Sequence, residues 1–425
     1  MLGMKSEANG FSEKVVLGYD LDNYNAQISY CPLNSYDAET VSSVMGNQIY
    51  DIPTVLCKRH EVNQWYYGRE ALRQSEAGAG ILVEGLLEKA RKGITIVVED
   101  EEYDPVLLLS LFVKKSISIL SAVVPLSKIA GVMFTTDIID EQTVNIFQTI
   151  VEGLALKTKN IYFQSHVESL YYYTIHQPKD IWSGQVLACE YEKDMMITHR
   201  LEFNENTTPI VAFSETERFN NIEIGNKDRN FLNILHKNCD GRYVSSVQLI
   251  GNGFKEEWYS DSLKYMCTNR RVFVGNNLYS KGACYGILEK ISPSEEGKGH
   301  IYLGDDKLKA NVGMEVFRRG QASYLALLNA GVHWYEAGAE AEFILQEDNV
   351  LEFKISLLKG NKVYTESMVL DNLAERKKGT VRMRLQMKMI SKHVICVEVE
   401  DLGFGDVYPS TNQKWTKEIS LNMQE

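Results

Sequence analysis

The stretch from Val15 to Ser29 constrains this chain more than any other. Val15, Val16, Leu17 and Tyr19 make an apolar strand interrupted only by Gly18. A sharp polar break follows, with Asp20, Asp22, Asn23 and Asn25, and a second strand opens at Ala26. Apolar runs flanking an Asp/Asn-rich break predict a hairpin. A hairpin with a carboxylate at its tip is how several phosphate-handling folds begin, so the rest of the chain is read for parts that would complete such a site.

Downstream, strand and helix patterns alternate. Ile49 to Cys57 reads as a strand bent at Pro53, and Trp65 to Leu72 turns into a helix. Asp104 caps a helix reaching Val124, with Pro105 in its first turn, where a missing amide costs nothing. Ile129 to Phe134 reads as a central strand. A helix follows from Asp140, with Val144, Phe147, Val151 and Leu154 along one stripe. Ile161 to Gln164 is a third strand, leading to a helix containing Tyr171, Tyr172 and Tyr173. This order predicts an α/β layer with a largely parallel sheet, whose ligand site lies at the carboxyl ends of the strands, near Thr135, Asp137, Ser165 and His166.

After a break at Gln177 to Gly184, paired strands are expected over Val186–Glu190 and Met195–Phe203, with another over Pro209–Phe213. A helix over Phe231–His236 precedes a strand running into Gly251-Asn252-Gly253. Helices over Glu256–Met266 and Leu278–Leu288 flank a strand ending at Gly275-Asn276-Asn277. Beyond Ile291 the pattern switches to strict alternation: Leu351, Phe353, Ile355 and Leu357, then Val381, Met383, Leu385, Met387 and Met389, then Ile395, Val397 and Val399. Period-two alternation marks antiparallel strands with one wet face.

These pieces, in this order, resemble the actin and heat-shock-chaperone ATPase superfamily, and within it the DnaK-type chaperones. Gly18 to Ala26 lies over the family's phosphate hairpin Gly-Ile-Asp-Leu-Gly-Thr-Thr-Asn-Ser, keeping Gly18, Asp20, Leu21 and Asn25. Ile52-Pro53-Thr54-Val55 is similar to its Ile/Thr-Pro-Ser-Val-Val strand, and Tyr67 to Ala71 to the Val-Gly-Glu-Glu-Ala turn. Leu249 to Gly253 resembles the adenosine motif Leu-Val-Gly-Gly-Ser, and Gly282 to Tyr285 the closing Gly-Ala-Ala-Tyr helix. The resemblance implies a two-lobed α/β actin-like ATPase fold over residues 14–290. Its lobes would span 14–178 and 179–290, after a flexible stretch 1–13, and 291–425 would form a mainly antiparallel, β-sandwich-like domain.

The resemblance also implies ATP or ADP with Mg²⁺ as cofactors. By motif position, Asp20 would face the metal, and Asp20 and Ser165 would take the catalytic positions. Gly18, Asp20, Asp22, Asn23, Asn25, Glu190, Gly251, Asn252, Gly253 and Asn276 would bind the nucleotide. Several of these depart from the motifs. Asp22-Asn23-Tyr24 replaces Gly-Thr-Thr, and a second carboxylate beside a polyphosphate repels it unless a metal intervenes. Glu190 to Met195 replaces the second phosphate loop with no glycine, although glycines let amides approach phosphate closely. Ser165 stands where the family has a catalytic glutamate, with Glu168 three residues on, and Asn276 replaces an aspartate. The stretch from Phe203 to Gly251 is too short for the family's adenine-clamping subdomain. The departures favour a scaffold or regulatory binding protein with weak or absent ATP hydrolysis. The alternatives are an active Mg-ATP-dependent chaperone-like ATPase binding peptides through its C-terminal domain, and an actin-like filament former.

A net charge of −12 argues against coating nucleic acid or anionic membrane, since phosphate contacts need clustered Lys and Arg. No apolar run is expected to span a membrane, which takes roughly 18 to 20 residues. Met1 to Glu13 lacks the apolar core of a secretory signal. The 7 cysteines are scattered and never paired as Cys-x-x-Cys, as expected of free thiols in the cytoplasm. A protein or peptide partner is expected, and an oligomer stays open. His60, His166, His176 and His199 lack metal-ligand spacing. The Asp401 to Asp406 loop reads as a β-turn and not a calcium loop.

Overall fold

The computed structural model describes residues 13–44, 46–154, 156–192, 195–275, 277–346, 349–358, 362–377 and 379–421. The flexible stretch expected at 1–13 therefore lies almost wholly outside the described residues, as does Asn276. The chain divides into two compact units, Met1–Tyr302 and Leu303–Glu425. The boundary expected after residue 290 falls later, because His300–Tyr302 adds a parallel strand to a sheet of the first unit.

The first unit holds the same topology twice. In its first half, β1 (Val15–Leu21), β2 (Asn25–Pro32) and β3 (Glu39–Thr40) form an antiparallel meander. β4 (Ile129–Thr136) and β5 (Ile161–Ser165) then add parallel strands on the other side of β1, giving the order β5-β4-β1-β2-β3. Helices α1 (Pro105–Ile117), α2 (Glu141–Leu154) and α3 (His166–Ile175) alternate with them. In the second half β6 (Gln185–Glu192), β7 (Met195–Asn204) and β8 (Ile210–Phe219) make the meander. β9 (Val244–Ile250) and β10 (Arg271–Val274) continue it as β10-β9-β6-β7-β8, with β11 (His300–Tyr302) beyond β8. Helices α4 (Lys227–Cys239), α5 (Ser260–Met266) and α6 (Leu278–Ile291) take the places of α1 to α3. The halves differ in residues 52–103, where the first inserts a small three-stranded sheet, two helices and a hairpin. The second passes from β8 almost directly into α4.

Both faces of each sheet are covered, which is why the leading strands read as nearly unbroken apolar runs. Along β6, Val186 and Ala188 face α3, while Leu187, Cys189 and Tyr191 face α4. Along β1, Val16 packs under α6 with Ala283, Cys284 and Ile287. Tyr19, on the opposite face, stacks at a tilt on Phe134 and bonds the Ser116 hydroxyl of α1 at 2.6 Å. Helices α3 and α6 thus exchange sheets and cross between the halves. The crossing needs glycine, since a Cβ on Gly282 would lie 1.9 Å from the Ser169 carbonyl oxygen. A Cβ on Gly18 would meet the Ser280 carbonyl at the same distance.

Contrary to the expectation that no run is long enough, residues 105–122 are long and apolar enough to cross a membrane, with mean hydropathy 1.6. The reason lies in packing. α1 is a core helix whose Leu108, Leu109, Phe112, Val113 and Ile117 are buried, with Asp104 capping it through the Val106 and Leu107 amides.

The second unit contains two four-stranded antiparallel sheets. One is β13-β12-β15-β16, built from β12 (Ala310–Arg318), β13 (Gln321–Leu328), β15 (Val350–Leu357) and β16 (Val363–Val369). The other is β14-β17-β18-β19, from β14 (Gly338–Leu345), β17 (Val381–Ser391), β18 (Val394–Asp401) and β19 (Lys414–Ser420). Alternation sets which face each residue takes. Met383, Leu385, Met387 and Met389 are buried with Ile395, Val397 and Val399, so the methionine stripe is core. Asp401 is gripped by both guanidinium nitrogens of Arg376 and by the Gly403 and Thr411 amides, which makes its loop a structural clasp.

Candidate functional site

The repeated topology brings the two leading strands to one cleft. On β1, Val16, Gly18 and Asp20 lie on one face, and Asp22 follows at the tip. On β6 the same phase is held by Val186, Ala188, Glu190 and Glu192. Each half therefore delivers two acids, spaced by one residue, to the same place. Asp20, Asp22, Glu190 and Glu192 line a single pocket with Asn25, Gln27, Asp51, His166, Gly251, Asn252 and Tyr279.

Each inner acid is held by the ring that opens its own half's last helix. His166 Nε2 lies 2.7 Å from Asp20 Oδ1, and the Tyr279 hydroxyl donates to Glu190 Oε2 at 2.8 Å. The two rings stack face to face, with centroids 4.0 Å apart and planes within 7°. Helix N-termini favour negative charge, so α3 and α6 add to the hold on both acids. Burial alone lowers the His166 pKa, but the Asp20 carboxylate outweighs it, with smaller help from Glu190 and Asp137, and raises it to about 9. The imidazolium thus sits where a cation facing Asp20 would sit. His199, 3.9 Å from Glu190, is pushed down to about 3 by burial and then by the charge on His166.

The outer acids close the backbone. Asp22 accepts from the Tyr24 amide at 2.5 Å and the Asn25 amide at 2.7 Å, capping its own hairpin. Glu192 reaches across to the turn after β9 and accepts from the Asn252 amide at 2.7 Å. The amides of the hairpin tip and of the turn after β9 are thereby already taken. Burial, and then Asp20, push the Asp22 acid up to about 8 against those two hydrogen bonds. The residue is half-buried, and water on its open side moderates the shift. Glu190 and Glu192 are also raised, in each case first by burial.

The remaining room is about 30 Å³, enough for a couple of water molecules. None of the residues lining it is Lys or Arg. Asp51 lies 3.7 Å from the Lys255 ammonium and also accepts from Gln27. No three of these acids bring a ligand oxygen within 4.8 Å of one another among the described residues. Mg²⁺ and a nucleotide polyphosphate do not fit this arrangement. Asp20, the carboxylate expected to face a metal, is paired to an imidazolium, the amides of the hairpin tip and of the turn after β9 already donate to Asp22 and Glu192, and the lining repels anions.

The expected site residues divide accordingly. Asp20, Asp22, Asn25, Glu190, Gly251 and Asn252 come together in the cleft. Gly18 lies behind it under α6, and the Gly253 Cα packs against the Tyr191 ring. Asn23 points away and accepts from the Glu88 amide at 2.7 Å. Ser165 caps α3 through the Glu168 amide at 3.3 Å and does not line the pocket. Glu168 is fully buried in the first turn of α3. Asp137 is paired with Arg91 at 2.9 Å. Asn276 lies outside the described residues. Gln27, Asp51, Glu192 and Tyr279 are not among the expected site residues, and His166 is expected near the cleft but not as the partner of Asp20. One signal could have found Glu192 and, through it, the pairing: an acid, any residue, an acid ends each leading strand, at a constant offset along the chain.

No curated protein matches the chain. A model described as "Domain of unknown function (DUF8552)" matches residues 307–421, within the second unit. A second, described as "Family of unknown function (DUF5716) C-terminal", matches residues 37–305, most of the duplicated unit. That span is more than half of the chain, and the protein therefore belongs to the DUF5716 C-terminal family.

Proposed function

We propose that the first unit is an actin- and chaperone-type ATPase fold whose nucleotide site is filled by its own side chains, and that the protein works as a non-hydrolysing scaffold or regulatory binding protein. The duplicated strand order and the crossed helices support the fold. One observation carries the loss of activity: the amides at the hairpin tip and after β9 already donate to Asp22 and Glu192. Phosphoryl transfer depends on charge positioned around the phosphates. Here His166 takes the metal's place beside Asp20, and two carboxylates take the phosphates' places at the amides. Such a cleft holds two lobes together without a ligand. Free thiols at all seven cysteines, Cys267 among them exposed, favour a reducing compartment such as the cytoplasm.

Calorimetric titration with Mg-ATP and Mg-ADP tests this reading. The expected result is no binding heat and no thermal shift at millimolar nucleotide. Tight binding abolished by Asp20→Ala would overturn it.

A further inference from the structure

In the second unit, β12 pairs with β15 only over Ala310–Gly313 opposite Leu357–Lys354. Beyond Gly313, β12 continues with β13 alone as far as Arg318, and β15 continues with β16 alone as far as Val350. The two hairpins therefore part company midway, and a trough opens on the outer face of the sheet where they diverge. Its cavity is about 500 Å³, within the range of small-ligand sites.

Its lining is specific in character. Tyr324 lies flat across the sheet, because a Cβ on Gly313 would fall 2.5 Å from the tyrosyl Cζ and hydroxyl. The ring is 48 % exposed, so it offers an outward surface while glycine fixes it from below. Around it stand Asn311, Glu315, Asn329, Lys354 and Ser356. Asn311 uses its carbonyl oxygen to hold the Ala330 amide at 2.9 Å, which leaves its amide hydrogens for another acceptor. Glu315 and Lys354 are exposed, and their side chains make no hydrogen bond or ion pair among the described residues. Their opposite charges cancel across the trough, so it selects neither anions nor cations. Val312, Ala326 and Leu328 complete the lining with apolar surface.

We propose that this trough binds a neutral polyhydroxylated ligand, a short oligosaccharide. One sugar ring would lay its C–H face on Tyr324, and its hydroxyls would meet the carboxylate, ammonium and amide groups at the rim. Aromatic faces suit such contacts because they combine apolar area with little conformational entropy to lose.

The test is a titration of the full-length protein against malto-, cello- and chito-oligosaccharides, followed by saturation-transfer NMR and calorimetry. At least one series binds at millimolar concentration or tighter. Tyr324→Ala weakens that binding at least tenfold with the thermal midpoint unchanged, while Phe317→Ala, on the same strand face beyond the trough, does not alter it. Should Tyr324→Ala fail to fold, Lys354→Ala, at an exposed position, gives the same readout and weakens binding severalfold. Absence of binding in all three series overturns the proposal. So does binding insensitive to both trough variants, or binding of an extended unstructured peptide that Tyr324→Ala abolishes.

Discussion

The floor and the mouth of the interlobe cleft are built from the same elements, and they tolerate change very differently. At the floor, α3 crosses α6 with backbone against backbone, and the Gly282 Cα faces the Ser169 carbonyl with no room for a methyl group. At the mouth, polar side chains crowd the cleft, and each acid is matched by a donor: Asp20 by His166, Glu190 by Tyr279, and Asp22 and Glu192 by backbone amides. Packing is a constraint on volume, which no rearrangement of charge can relieve. Site chemistry is a constraint on charge and hydrogen bonding, which the protein's own side chains can meet. A fold can therefore keep its architecture while its cleft changes occupants.

The sharpest way to break this comparison is at the floor. Gly282→Val puts a branched side chain into a carbonyl oxygen 1.9 Å away, and should cost upwards of about 3 kcal/mol. The expected outcome is an insoluble protein or a steep drop in thermal midpoint. Gly153 provides the control, since it sits in α2 with nothing within 4 Å of its Cβ position. Gly153→Ala should stabilise by up to about 1 kcal/mol. If both substitutions are tolerated alike, the crossing is not the constraint described here.

How much of this was legible in the sequence follows the same division. Strand and helix order could be read because core faces impose periodicity: Val144, Phe147 and Val151 along α2, or Met383, Leu385 and Met387 along β17. The hairpin at Gly18 to Ala26 and the turn at Gly251 stood out because tight turns restrict residue type. The cleft partners did not. His166 and Asp20 are far apart in the chain and become neighbours only through the order β5-β4-β1, which no local pattern encodes. Tyr279 reads as one more core aromatic of a small-residue helix. Glu192 reads as part of a missing phosphate loop, whereas its carboxylate holds the Asn252 amide in the turn after β9. The later domain boundary was hidden too, because the polar run from Ser292 to Gly299 looks like a linker although the strand His300–Tyr302 follows it within the same unit.

At the mouth, the inner pair should give the larger effect. His166→Ala leaves Asp20, only 7 % exposed, without its partner at 2.7 Å. Removing one member of a buried pair costs about 3 to 5 kcal/mol. The pair also sets a pH dependence. His166 has a folded-state pKa raised from 6.5 to about 9, so its contribution is complete below about 6.5 and is lost as pH climbs towards 9. Asp22 acts in the same direction at lower pH. Its acid is raised from 3.8 to about 8, so the folded state retains a proton that the unfolded chain releases, and stability declines as pH rises across that interval. Below about 6.5 His199 works the other way, because its folded-state pKa is pushed down from 6.5 to about 3. The test therefore lies above that pH, where thermal midpoints should fall from about 6.5 to 9. His166→Gln should flatten the upper part of that interval and Asp22→Asn the part nearer neutrality. A midpoint that rises with pH over this range would contradict both assignments.

The smallest effect on stability carries the most information about ancestry and function. Asp22→Ala combined with Glu192→Ala uncaps the amides of Tyr24, Asn25 and Asn252, at a cost of about 1 kcal/mol for each cap. It also removes two acids that stand where an incoming anion would, while leaving the Asp20–His166 pair and the crossed helices untouched. If the acids stand in for phosphate, the double variant should gain what the parent lacks: millimolar affinity for inorganic pyrophosphate or ADP, seen by calorimetry and as a ligand-dependent thermal shift. Each single variant should gain less, because one capped turn still blocks a bridging anion. A double variant that loses the expected stability yet binds neither ligand would show that the caps are structural and that the cleft is shaped for no anion. A variant that binds pyrophosphate but fails to hydrolyse ATP would separate the two requirements, because accessible amides hold phosphate whereas turnover also needs a metal and a positioned water.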